Sequence, residues 1–495
     1  MRMVLVEKIK TLIIYILVLN SLFLTSKIWF SEKLWPSGYN FFVSLTNNNL
    51  FAGFTRYKRQ YSYPKENLSI PKVITLCSDS NNKSVFYNSD TGFFEVFSEI
   101  KPIIEGYLNG SFQKAQQSNV TLDDYYYAIS GEIPAIYVDY QIAYSAPLFG
   151  QVNGVNLPQL PDGIDVIKNF IIIPHDIGFS ILVKDPKSNA VVRTTFYDTG
   201  IDVGKIIDKY NTTTEENFFF ASELNLNKTL PETNITFDPM VIVFSDYEEV
   251  PPAIISNIPD LREDNVDLLN KILRHFSYNP KSVRRYIDTS GVITYVENNS
   301  SLKIYPIGLI EYSSISNNKG IELNDAQSQY SALNESIDFA QNLWNILNLG
   351  ESLNIALSND LVDTSTKNEY TFNLDYYYGG NIVLVDIPYE QNKRLNHALS
   401  ITVQNGKITK FSFLARTFED SAKKVELMDT IGAIDSFYEQ KKDSSMEKVE
   451  EIFISYLLDE RAQIIDPCWT IKSKSNGMTK IHVIANGGSH ELEQD

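Results

Sequence analysis

Three patterns of hydrophobic positions recur along the chain: one unbroken apolar run near its start, short alternating or fully apolar blocks, and longer stretches with apolar residues three and four apart. The run at 11–30, TLIIYILVLNSLFLTSKIWF, is long enough to cross a bilayer as a helix, because about 20 residues rising 1.5 Å each reach roughly 30 Å. Beyond it, strands are predicted at 73–78, 85–88, 135–140, 170–174, 179–184, 191–199 and 240–244, with helices at 92–108 and 203–210. The polar, Asn- and Thr-rich stretch 211–234 reads as a loop or insertion.

Pro251-Pro252 and Pro259 punctuate the chain before a helix at 265–276, whose Val266, Leu269, Ile272, Leu273 and Phe276 keep helical spacing. A strand meander follows at 292–297, 302–306 and 309–313. A second helix carries Leu333, Ile337, Ala340, Leu343, Trp344 and Leu347 on one face, ahead of strands at 370–378, 381–386, 398–404 and 407–415. Gly379-Gly380 and Asn405-Gly406 are hairpin turn signals. Two more helices are predicted, at 426–439 and 446–458, then strands at 468–473 and 479–485. A helix laid on an antiparallel sheet thus recurs in the second half.

The fold class this predicts is α+β: one N-terminal transmembrane helix, then a multidomain extracytoplasmic body of antiparallel sheets with packed helices. The expected divisions are 1–33, a cytoplasmic tip and anchor; 34–255, a first extracytoplasmic domain; 256–325, a helix plus β-meander; and 326–495, helices with an antiparallel sheet. An aromatic content of 12% suits rings paired across strands.

Charge sets the orientation and removes one class of partner. Arg2, Lys8 and Lys10 outnumber Glu7 before the apolar run, which predicts a cytoplasmic N-terminus and an external body at the cell membrane. The net charge of −18 lacks the basic footprint that nucleic acid requires. Within the span, Asn20, Ser21 and Thr25 are polar, and Ser21 and Thr25 lie one helical turn apart, where small hydrogen-bonding residues let a partner helix approach. Lys27 can snorkel to the interface, where Trp29 and Trp35 sit as aromatic anchors.

Candidate chemistry is sparse. The two cysteines, Cys77 and Cys468, show no metal-ligand spacing, and Cys468 in Pro467-Cys468-Trp469 reads as a buried thiol. The five histidines form no metalloprotease motif, and no nucleophile-elbow serine is present. Pro174-His175-Asp176 reads as a turn, and His482 as one face of a strand. Asp123-Asp124 and Glu248-Glu249 are adjacent carboxylates that would diverge on a strand. No catalytic, cofactor-binding or metal-ligating residue is assigned, and the protein is expected not to be an enzyme. Tyr125-Tyr126-Tyr127 and Tyr376-Tyr377-Tyr378 would offer sugar-stacking rings if exposed, which keeps a cell-wall glycan- or peptide-binding module as the alternative function.

The opening EKIKTLIIYILVLNSLFLTSKIW and the segment NPKSVRRYIDTSGVITYVENNSSLKIYPIGLIEY, from Asn279 to Tyr312, resemble the YycH (WalH) family. The family shares the acidic residue and Ile-Lys before a Leu/Val-rich span closing in Leu-Thr and Ile-Trp. It also shares the Asn-Pro, the reversal, and a strand ending in Gly-x-x-x-Tyr. The helix with Trp344 and the hairpins from Tyr370 to Ala415 fit the same pattern. The resemblance implies a single-pass regulator of a two-component system for cell-wall metabolism. Its partners would be a sensor histidine kinase of the YycG (WalK) type and a YycI-like membrane protein.

Overall fold

The computed structural model describes residues 66–494 apart from 80–81, 91, 113–115, 212–217, 225, 230–233, 245–249, 298, 317–318, 363–368, 392, 442–445, 460–462, 476 and 486–487. The fold is α+β, built mainly from antiparallel sheet.

The first half forms β1 (Val73–Cys77), β2 (Lys83–Tyr87), α1 (Phe93–Leu108), β3 (Gln116–Asn119), α2 (Leu122–Tyr127), β4 (Ala135–Ser145) and α3 (Ala146–Val152). Next come β5 (Val166–His175), β6 (Gly178–Lys184), β7 (Val191–Tyr197) and α4 (Val203–Tyr210). Its 7-stranded sheet runs β2-β1-β4-β5-β6-β7-β3 with antiparallel neighbours. One face takes α1, whose Phe93, Val96, Phe97, Ile100 and Ile103 recur at helical spacing and bury against Ile136, Val138 and Ile172. The opposite face carries Ile171, Ile173 and Leu182 against Tyr125 of α2. Burial on both faces explains why Phe170–Ile173 is a continuous apolar run instead of an alternation.

The stretch 211–234, expected as a loop, holds β8 (Phe218–Phe220) and α5 (Leu226–Thr229), and is followed by β9 (Ile235–Phe237) and β10 (Ile242–Phe244). β8 pairs with β10, and Phe218 and Phe220 bury against the second face of the first sheet. Alternating burial of three phenylalanines, not the polar flanks, decides the structure there.

The remaining elements are β11 (Ile254–Asn257), α6 (Val266–His275), β12 (Arg284–Ile287), β13 (Ile293–Glu297), β14 (Ser300–Ile304), β15 (Leu309–Ser314), β16 (Ile321–Glu322) and α7 (Gln329–Leu347). They continue with β17 (Ile355–Leu357), β18 (Glu369–Tyr378), β19 (Asn381–Glu390), β20 (Lys393–Leu395), β21 (Leu399–Gln404), β22 (Lys407–Leu414), β23 (Thr417–Asp420) and α8 (Thr430–Lys441). The chain closes with β24 (Glu447–Asp459), β25 (Ile464–Ile465), β26 (Pro467–Ser475), β27 (Met478–Ala485) and β28 (Gly488–Gln494).

A 16-stranded sheet runs β12-β13-β14-β15-β22-β21-β18-β19-β24-β26-β27-β28, with β9, β16, β17 and β20 attached at its margins. The meander therefore continues into the later hairpins through β15 and β22. Helices α6 and α7 lie together on one face, where Phe276, just beyond α6, and Phe339 of α7 pack edge-to-face against Phe411 of β22. The two helix-on-sheet segments thus share one core. Gly379-Gly380 and Asn405-Gly406 have positive φ at both positions (56° and 89°, 51° and 76°), the geometry that closes tight hairpins.

Residues 446–458, expected as a helix, form β24 instead. A bulge between Val449 and Glu451 shifts its pairing with β26. Burial therefore falls on Glu447 and Val449, then on Ile452 and Ile454. The spacing of three between Val449 and Ile452 imitates a helical face, and only the β-branched and aromatic content argues otherwise. Asp123-Asp124, considered above on a strand, lie on a helix: Thr121 caps α2 in a capping box with Asp124, accepting from its N–H at 3.1 Å.

Candidate functional site

Asn20, Ser21, Thr25, Lys27, Trp29 and Trp35, and with them the apolar run, lie outside the described residues. Among the described residues no helix is long and apolar enough to cross a membrane, and no group of three or more His, Cys, Asp or Glu side chains converges as a metal ion requires.

Three histidines meet serines. His482 Nε2 lies 3.0 Å from Ser473 Oγ and 3.1 Å from Glu447 Oε2, all three residues being buried. Burial lowers the imidazole pKa, with Glu447 opposing it. Asp375 and Ser358 both address His397 Nδ1, at 3.3 and 3.2 Å. At His397 a single ring nitrogen meets both serine and carboxylate, whereas nucleophile activation needs the ring to bridge them through its two nitrogens; at His482 the second nitrogen, Nδ1, faces the Glu491 carboxylate at 3.9 Å, beyond hydrogen-bond reach, while Ser473 is buried within the sheet. His175 instead accepts or donates at 2.6 Å with Ser180, on the exposed end of β5, and Asp176 sits in the following turn.

The tyrosine strings do not form stacking strips. Tyr125 is buried with its hydroxyl donating to Asn169 at 2.6 Å, while Tyr127 is exposed, as helical geometry around α2 demands. Tyr376 is also buried, and Tyr377 and Tyr378 donate to Asn88 and Asp420 at 2.7 and 3.1 Å.

The chemistry that sequence reasoning missed is a cleft of about 150 Å³ between the two large sheets. Both walls are irregular strands. On the first, β4–β5 pairing jumps from Asp139↔Asn169 to Tyr144↔Ile167, which displaces the backbone beside Lys168. On the second, the β24 bulge presents both Glu450 and Glu451, while Lys472 and Lys474 alternate on β26. The loop after β17 docks across the first irregularity: Ala143 N–H donates to Asp360 Oδ1 at 2.8 Å, and Leu361 bridges Tyr144.

Most charges in the cleft are paired. Lys72 contacts Glu451, Lys474 meets Glu450 at 3.0 Å, and Asp238 receives Lys448 at 2.7 Å and Lys184 at 3.9 Å. Burial pulls the Lys72 ammonium down to about 7; Asp139 opposes this and Lys168 and Lys472 reinforce it, while direct contact with Glu451 favours the charged form. Burial would raise the Asp238 pKa, but Lys448 and Lys184 bring it below the usual range. Lys168 is also pulled down by burial, yet Asp139, Glu450, Asp360 and Asp238 together leave it raised. Lys472 is lowered by burial, with Lys168 adding to the effect. The signals legible in sequence were Glu450-Glu451 and Lys-Ser-Lys at 472–474, charged positions set within otherwise apolar strand segments.

The architecture is that of an α+β protein of antiparallel sheets with helices packed on their faces. Among solved structures the chain is similar to the crystal structure of YycH from Bacillus subtilis, at 12% identity and a TM-score of 0.49, covering 87% of this chain and 99% of that one. No protein-family model matches the chain, and no curated protein matches it in sequence.

Proposed function

We propose that this protein is a membrane-anchored, extracytoplasmic regulator of a sensor histidine kinase that controls cell-wall metabolism. It acts through transmembrane and extracytoplasmic contacts with a kinase of the YycG type and a YycI-like membrane protein. The observation that carries the reading is the sequence resemblance to the YycH family across the opening span and Asn279–Tyr312. Basic residues before the span and a strongly acidic chain overall support a cytoplasmic N-terminus and an external body. The role is non-enzymatic, in keeping with a sequence that carries no metalloprotease motif and no nucleophile-elbow serine.

Topology is testable by cysteine labelling because the native thiols are silent. Cys77 and Cys468 are free and buried, and burial pushes each up to about 12, leaving no reactive thiolate at neutral pH. A membrane-impermeant maleimide should label Ser37→Cys and Asp495→Cys in intact cells, with the unsubstituted chain unlabelled. Labelling of either position only after lysis contradicts the orientation.

A further inference from the structure

Four charged groups in the inter-sheet cleft are left over when the ion pairs are counted. Lys168 on β5 and Lys472 on β26 form no hydrogen bond or ion pair with another described residue, although each is half-buried. Oδ1 of Asp139 is buried without a hydrogen-bond partner. Asp360 accepts one backbone N–H but has no ion-pairing cation among the described residues. Two ammonium and two carboxylate groups thus face a void across which they attract without touching. Partly buried charges held apart in this way are costly unless something fills the gap with matching charge.

The matching occupant carries both signs. A simple anion would satisfy the lysines and meet Asp139 and Asp360 repulsively, and a simple cation would do the reverse. The volume sets the size, since a cavity of about 150 Å³ takes a ring the size of benzene, which is also the bulk of alanine. We propose that the cleft binds a small zwitterion of the free α-amino acid class, its carboxylate received by Lys168 and Lys472 and its ammonium by Asp139 and Asp360. The irregular strands on both walls are the device that turns these side chains toward one void, in keeping with the concentration of bulges beside binding sites. A ligand here touches both sheets at once, so its binding energy holds them together.

The test is calorimetric titration of the full-length, detergent-purified protein with glycine, L-alanine and D-alanine, against acetate and methylammonium as half-ligands. At least one amino acid should bind saturably, at least about tenfold more tightly than either half-ligand. Lys168→Gln and, independently, Asp360→Asn should each weaken it by about tenfold or more. No saturable binding by any of the three at roughly 10 mM overturns the proposal and leaves water as the occupant. Acetate binding as tightly as the amino acids overturns the zwitterion in favour of an anion site. Unchanged affinity in the folded variants places the site elsewhere. Because the half-ligand comparison uses the unsubstituted protein, it decides the matter even if a variant fails to fold.

Discussion

Phe411→Ala is expected to lower the free energy of unfolding by about 3–5 kcal/mol. Phe411 lies on β22, is 1% exposed, and is the ring on which two helices meet the large sheet. Phe276 just beyond α6 and Phe339 of α7 sit 5.4 and 5.3 Å away, edge-on to it, with Phe413 at 6.3 Å. Removing the ring leaves a cavity walled by three elements anchored elsewhere, which limits collapse and puts the cost in the upper part of the range for a buried aromatic. Loss of the edge-to-face pairs contributes about 0.5–1.5 kcal/mol of this. Urea unfolding should show a lower midpoint at an unchanged slope, whereas Tyr286→Ala, on the exposed edge strand β12, should change stability by no more than about 0.5 kcal/mol. A Phe411→Ala midpoint equal to that of the unsubstituted protein would show that the helices do not depend on this ring.

Asp185→Asn should cost about 2–4 kcal/mol and alter the response to acid. The Asp185 carboxylate is buried just after β6 and accepts four backbone N–H groups: Asp165 and Val166 at 2.8 and 2.9 Å through Oδ2, and Lys187 and Ser188 at 2.7 and 2.8 Å through Oδ1. It pins the start of β5 to the β6–β7 turn. Asparagine offers one acceptor oxygen and turns an NH₂ toward the other two donors, so buried N–H groups lose their partners. Burial alone would raise the Asp185 pKa, but the hydrogen bonds from Ser188, Asp165, Val166 and Lys187 outweigh it and lower it. Its stabilising contribution is therefore fully present above the ordinary carboxylate pKa of about 4 and is lost as pH falls from there through the lowered folded value. Unfolding free energies measured from neutral pH downward should drop below about pH 4 in the parent protein, with a shallower drop in Asp185→Asn. Parallel curves would assign the acid response to other carboxylates.

Where local pattern and environment agree, the sequence reading is close. The 203–210 prediction coincides with α4 because Val203, Ile206 and Ile207 recur on one face and Asp202 accepts from Lys205 N–H as its cap. Gly379-Gly380 and Asn405-Gly406 place their hairpins because few residues other than glycine and asparagine tolerate those φ values. Failure comes where tertiary context overrides periodicity. The β24 bulge made a strand look helical, and α2 is missing from the predicted elements because its six residues are too short to show a helical period and Thr121 is not read as its cap. The cleft was illegible for a related reason. Lys168 and Asp360 are far apart in sequence, each alone looks like an ordinary surface charge, and nothing in the sequence joins them to Lys472; strand irregularities and a docked loop bring the three to one void.

The proposal as a whole rests on contact with a kinase through the apolar span at 11–30. Ser21 and Thr25, one turn apart with Asn20 beside them, are the positions where a partner helix would approach. Replacing both by leucine should weaken association by about 1–2 kcal/mol per strong contact, roughly tenfold for each 1.4 kcal/mol. Ile16→Leu combined with Leu19→Ile, which preserves bulk and polarity, should leave association unchanged. The most direct measurement is co-purification of the YycG-type kinase with the chain carrying its own span or a foreign transmembrane helix of equal length, read beside a wall-hydrolase reporter. The account predicts that the kinase accompanies the native chain and is lost with the foreign helix, with the reporter shifting in step. Retention of the kinase and an unchanged reporter after the exchange would place the contact outside the bilayer, and absence of the kinase from the native chain would contradict the regulator itself.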